Sequence, residues 1–112
     1  MKLIIAIIQP NRLEAVKAAL SEVEVFRLTI MDVQGFGRQK GQKETYRGAE
    51  YKIDFVPKLK IELVVPADAR DKVISTIIKG AQTGQIGDGK IFVSQITKTI
   101  RIRTGETDKA AL

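Results

Sequence analysis

The sequence predicts an α+β domain of order βαββαβ with a long loop inserted between strands 2 and 3. Three observations carry this: an unbroken apolar run at the start, two apolar stripes at helical spacing, and one stretch of strict alternation. Two βαβ halves divided by an insert make the split arrangement of a ferredoxin-like domain, with both helices on one face of a four-stranded antiparallel sheet.

Leu3-Ile4-Ile5-Ala6-Ile7-Ile8 is apolar at every position and stops before Pro10, the pattern of a central strand covered on both faces. Asn11, three residues before Glu14, suits a capping box, and Leu13, Val16, Leu20 and Val23 then fall on one stripe. Leu28 to Phe36 reads as the second strand, ending at Gly35 and Gly37. From Gly37 to Asp54 the chain is polar, basic and without a sustained period; an irregular insert of that length in a compact domain is usually functional or disordered. Leu59, Ile61, Leu63 and Val65 then alternate with Lys58, Lys60 and Glu62 to give the third strand. Asp68 with Asp71 suits the start of a second helix striped by Val73, Ile74, Ile77, Ile78 and Ala81, ending towards Gly80 and Gly84. Gln82 to Gly89 reads as a glycine-bearing loop and Ile91 to Ile96 as the fourth strand. Two helices cover only one face of such a sheet, so the second apolar face of the first strand is expected to meet other copies of the chain.

Composition narrows the chemistry. At 112 residues the chain is the length of one domain, and with no Cys and no His it has no thiol nucleophile, no disulfide, no Cys/His metal cluster and no imidazole base. A net charge of +6, from 19 Lys+Arg against 13 Asp+Glu, points to phosphates, nucleic acid or acidic metabolites. The apolar start is too short for a signal peptide and runs into Gln9-Pro10-Asn11-Arg12 in place of a small-residue cleavage site, so a cytoplasmic protein is expected.

Gly84-Gln85-Ile86-Gly87-Asp88-Gly89-Lys90 fits G-x-x-x-x-G-K, whose backbone N–H groups and lysine suit a phosphate. Ile91 replaces the Ser or Thr of a nucleotide-hydrolase P-loop, and a helix precedes where a strand should, so a phosphate-cradling turn competes with an ordinary helix-to-strand turn. Arg101 and Arg103 alternate on what reads as an extended segment, suiting two oxygens of a polyphosphate or else a solvated charged edge. Gly35-Phe36-Gly37-Arg38-Gln39-Lys40-Gly41 is a second anion nest or a solvated loop. Lys58, beside the insert, suits a carboxylate partner or plain exposure, and Glu62 is explained by an ion pair on its own face. Tyr46 and Tyr51 in the polar insert suit modification or docking, or the packing of a hairpin.

Tyr46-Arg47-Gly48-Ala49-Glu50-Tyr51 and Thr83-Gly84-Gln85-Ile86-Gly87-Asp88-Gly89-Lys90-Ile91-Phe92-Val93 resemble the two signatures of the PII nitrogen-regulatory signal-transduction proteins, the GlnB/GlnK family. Gly35 to Gly41 and Ile100-Arg101-Ile102-Arg103-Thr104-Gly105-Glu106 are similar to its other typical stretches, and the similarity runs from residue 1 to 112. The resemblance implies a single PII-like domain over 1–112, with a T-loop at about 37–55, a phosphate loop at about 82–90 and a C-terminal segment at about 98–112. It implies a non-enzymatic homotrimer that senses ATP or ADP in clefts between subunits, takes up 2-oxoglutarate together with Mg-ATP, and docks the T-loop on targets such as an ammonium transporter or nitrogen-assimilation enzymes. Membrane contact would be peripheral, through a transporter partner.

Carried over position by position, Gly87, Asp88, Gly89 and Lys90, with Gly37 and Arg38, would cradle the nucleotide, and Arg101 and Arg103 would come from the cleft's other subunit. Ile7, Thr29, Glu62 and Val64 would line the base and ribose region. Gln39 would ligate Mg2+, Lys58 would pair with 2-oxoglutarate near Gly41, and Tyr51 would be the hydroxyl open to nucleotidylation. Ala49 replaces the Ser that some members phosphorylate, Gln9 a usual Lys or Arg, Asn11 a usual aromatic, and Glu24 and Arg27 usual glycines.

Two other functions compete. An RNA-binding domain on the same fold would want aromatics on the third strand, where Lys58 to Val65 has none, so no nucleic-acid partner is expected. A nucleotide-using enzyme would want a base or nucleophile, and without His, Cys or a compact carboxylate pair none is evident.

Overall fold

The computed structural model describes residues 1–38, 45–46, 49–50 and 53–112. Strand β1 (Lys2–Ile8) leads into helix α1 (Leu13–Glu22) and strand β2 (Thr29–Arg38). After the two-residue strands β3 (Thr45–Tyr46) and β4 (Ala49–Glu50) comes the long strand β5 (Ile53–Val65), then helix α2 (Arg70–Ala81) and strand β6 (Lys90–Gln95). The main sheet is antiparallel with order β2-β5-β1-β6. This is the ferredoxin-like βαββαβ arrangement with a loop inserted between its second and third long strands.

One face of the sheet carries the core. Ile4, Ala6 and Ile8 of β1 and Leu59, Ile61, Leu63 and Val65 of β5 pack under Val16 and Leu20 of α1 and Val73, Ile77 and Ala81 of α2. Strand alternation and helical stripe thus meet on the same side, as the sequence pattern requires. The opposite face holds Leu3, Ile5 and Ile7, with Phe92 opposite Ile5 in register and half exposed (52%). Neither α1 nor α2 covers that apolar face.

The helices meet through Gly80, where a Cβ would stand 2.7 Å from the Val16 Cα and 3.0 Å from the Ala15 carbonyl oxygen. Gly80 therefore lies inside α2 as the point of close approach, and the helix ends one residue later at Ala81. Arg12 Nε and Nη2 both donate to the Gly80 carbonyl oxygen, at 3.0 and 2.7 Å, satisfying a last-turn carbonyl of α2 from the start of α1.

Neither expected cap forms. Pro10–Arg12 and Ala67–Ala69 are 3-10 turns that place Arg12 and Ala69 at the N-caps of α1 and α2, with no side-chain cap bond at either. A fixed proline φ starts the first turn early and carries Asn11 past the capping position. The two ends of the insert, among the described residues, are also more regular than their composition implies. β2 runs through both glycines to Arg38, and β5 begins at Ile53, so the two strands pair from Thr29↔Glu62 to Arg38↔Ile53. The rings of Phe36 and Phe55, directly opposite in this register, lie 5.2 Å apart and tilted, which favours continuing the ladder. No helix among the described residues is long and apolar enough to cross a membrane.

Candidate functional site

From Ala81 the chain returns to β6 through a loop turned by three glycines with positive φ, Gly84 (83°), Gly87 (110°) and Gly89 (88°). Gly89 has no room for a side chain: its Cβ would lie 1.8 Å from the Ile7 carbonyl oxygen. The loop therefore rests directly on the end of β1.

Asp88 closes the loop on itself. Its Oδ2 accepts the backbone N–H groups of Thr83 (2.8 Å) and Gly84 (2.9 Å), and the Thr83 hydroxyl donates to Oδ1. These bonds, the Thr83 hydroxyl first among them, hold the Asp88 carboxyl below the ordinary carboxylate range. Thr83, not singled out from sequence, is thus the partner that shapes the loop; the available signal was a hydroxyl residue and an Asp bracketing a glycine turn.

Lys58 reaches across from β5 and donates to the Gly87 carbonyl oxygen. Gln9 borders the same peptide, its Nε2 lying 3.4 Å from where a Gly87 Cβ would be. Ile7 stands opposite Lys90 on one side and Lys60 on the other, which brings the loop's lysine to the uncovered face of the sheet.

Thr29 and Glu62 are opposite in register, Val64 follows on the same face, and Glu62 is ion-paired with Lys60 at 3.1 Å. Two hollows divide these residues. One, of about 300 Å³, is lined by Ile7, Asp88, Gly89 and Lys90 together with Ile74 and Ile78 of α2. The other, of about 500 Å³, is lined by Thr29, Glu62 and Val64 with Phe26, Arg27, Leu28, Thr99 and Leu112. They share no lining residue. Phe26 and Arg27 are wall residues that sequence periodicity does not reveal, since they precede the strand.

Arg101 and Arg103 do not lie on an extended segment. Gly105, at φ 73°, lets its N–H donate back to the Arg101 carbonyl oxygen at 2.7 Å, so residues 101–105 form a turn. Arg101 pairs with Glu106 at 3.2 Å and approaches the Leu112 carbonyl oxygen at 3.4 Å, which places it beside the larger hollow; Arg103 is exposed. Gly37 and Arg38 end β2, opposite Asp54 and Ile53. Gln39, Gly41 and Tyr51 lie outside the described residues. Among the described residues no group of three or more His, Cys, Asp or Glu side chains could hold a metal ion.

A family model described as nitrogen regulatory protein P-II matches residues 1–106. The chain is 59% identical over 112 residues to nitrogen regulatory protein P-II 1 of Escherichia coli strain K12 and 54% identical to nitrogen regulatory protein GlnK of the same strain, covering all of each chain. The structure is also similar to that of Arabidopsis thaliana PII bound to citrate, with a TM-score of 0.83 and 40% identity over 99% of this chain and 91% of that one. Continuous similarity of sequence and of fold thus carries the same conclusion: the chain belongs to the nitrogen regulatory protein P-II family of regulatory, non-enzymatic signal-transduction proteins, which act through partner proteins.

Proposed function

We propose that this chain senses ATP or ADP together with 2-oxoglutarate in clefts between the subunits of a homotrimer, and reports their levels to target proteins through its T-loop. The observation that carries the reading is the division of the candidate nucleotide residues between two hollows with no common wall. Ile7 and Asp88 to Lys90 line one half-site; Thr29, Glu62 and Val64, with Arg101 nearby, form the other. A half-site from each of two neighbouring subunits makes a whole cleft, and the uncovered face with Ile5 and Phe92 supplies the apolar surface for assembly.

In this assignment Gly87, Gly89 and Lys90 present backbone N–H groups and a cation to the phosphates, with Gly37 and Arg38 from β2. Asp88 acts through the loop's shape. Arg101 and Arg103 add guanidinium groups from the adjacent subunit. Mg2+ would supply positive charge to a polyphosphate and a keto acid bound together. The oxygen of Gln39 suits that hard cation, which is commonly held by substrate phosphates with few protein ligands. Lys58 pairs with the far carboxylate of 2-oxoglutarate near Gly41. Tyr51 in the T-loop (about 37–55) is the candidate for nucleotidylation, and an ammonium transporter or a nitrogen-assimilation enzyme is the type of target.

Mixing Lys90→Ala chains with Arg103→Ala chains under confirmed subunit exchange tests the shared cleft: nucleotide binding is expected to recover in mixed trimers, and no recovery overturns the assignment. For the effector, 2-oxoglutarate is expected to bind more tightly with Mg-ATP than with Mg-ADP or without nucleotide. Equal affinity in all three overturns its coupling to the γ-phosphate.

A further inference from the structure

We infer that Lys58 is a positioning residue for the phosphate loop in its own right, and that it links an anionic effector mechanically to the nucleotide. Loop and sheet meet at Ile7, at Gln9 and at Lys58. Asp88 ties Thr83 and Gly84 into a closed unit by bonds that lie within the loop, while the Gln9 side chain, one residue past β1, also bonds the Asp88 carboxylate. Gly89 rests on the Ile7 carbonyl by close contact, which limits approach without fixing orientation. The Gly87 peptide, at φ 110°, is the connection between these two parts. Lys58 Nζ donates to its carbonyl oxygen from β5, and the Gln9 amide flanks it.

An ammonium has three donors, of which one is engaged among the described residues, so a carboxylate can be bound without giving up Gly87. A carboxylate that bound Lys58 would restrict the side chain and with it the carbonyl that Lys58 holds. The Gly87 to Lys90 N–H groups would then be presented in fewer orientations, so a phosphate would meet a better-ordered cradle. Linkage makes the effect reciprocal. This path adds to any bridge through a metal, because it runs through protein alone. Its consequence for nucleotide and effector rests on the proposed function; the attachment of the loop does not.

Hydrogen exchange of the 84–89 amides in ligand-free protein separates the two. Exchange is expected to speed up in Lys58→Met while β1 and α2 stay protected, and not to change in Lys17→Met, an exposed control on α1. ATP titrated without metal or dicarboxylate is expected to bind roughly 5- to 10-fold more weakly to Lys58→Met, the scale of one charge-assisted contact partly screened by solvent. Lys58→Arg, which keeps a donor, is expected to restore part of both. Unchanged exchange and unchanged metal-free ATP affinity in Lys58→Met overturn the inference, even if 2-oxoglutarate binding is lost. Faster exchange with no 2-oxoglutarate binding in the native protein instead leaves the loop attachment standing and removes the effector.

Discussion

At Glu24 the end of α1 adopts a conformation that favours glycine. The residue has φ 61°, with its N–H bonded to the Ser21 carbonyl oxygen and the Val25 N–H to that of Leu20. This pair of bonds is a Schellman motif with Glu24 at the left-handed position, and Val25 packs back on the core. A side chain there is strained, so Glu24→Gly is expected to stabilise the protein by about 1 kcal/mol, read as a higher midpoint in urea at fixed protein concentration. Asp88 gives a second expectation at the same scale. Its carboxyl sits below the ordinary range in the folded loop, so its contribution is complete above the unfolded pKa of about 4 and is lost as pH falls further through the folded value. Exchange of the 84–89 amides, corrected for intrinsic rate, should therefore lose protection on acidification below about pH 4. Asp88→Asn should show the loosened loop already at neutral pH.

Among the elements, the α1–α2 contact has the least tolerance. Gly80→Ala gains helix propensity but sets a methyl against the Val16 Cα, and we expect a net loss of about 1–3 kcal/mol by denaturant unfolding, since backbone cannot yield as a side chain can. β1, β5 and both helical stripes were legible in the sequence because burial on one side imposes the period that a reader looks for. The cap positions at Asn11 and Asp68 were not, because a short 3-10 turn before each helix moves its start by a few residues without changing the composition. Two alternating arginines were likewise too short a pattern to tell a strand from the turn that Gly105 closes. Within the site, the glycine loop and Lys58 were readable as local motifs. The Thr83–Asp88 bonds and the walls formed by Phe26 and Arg27 depend on how the loop closes and on what the strands bring alongside, information that no single stretch carries.

At the scale of the whole molecule, the sheet has one face filled by α1 and α2 and an opposite apolar face that neither helix covers. A charge placed there should act on assembly before it acts on the fold. Phe92→Asp, half exposed and opposite Ile5, is expected to shift the protein to monomers in sedimentation velocity while circular dichroism stays near native, and a trimer that persists would count against the open face as the interface. On the proposed function, nucleotide binding should fall with assembly, since each chain would then keep only half of each cleft.

The pairing of β1 with β5 stops at Ile8↔Leu59, whereas β2 and β5 continue together to Arg38↔Ile53. Among the described residues each strand beyond Leu59 has one neighbour in place of a full sheet, and Pro57, which lacks an N–H, falls in that stretch. A two-stranded ribbon is marginal in isolation, so this arm adds little stability of its own and the core does not depend on it. On the proposed function, reshaping the arm against different surfaces would cost the rest of the fold little, which suits one scaffold to several recipients.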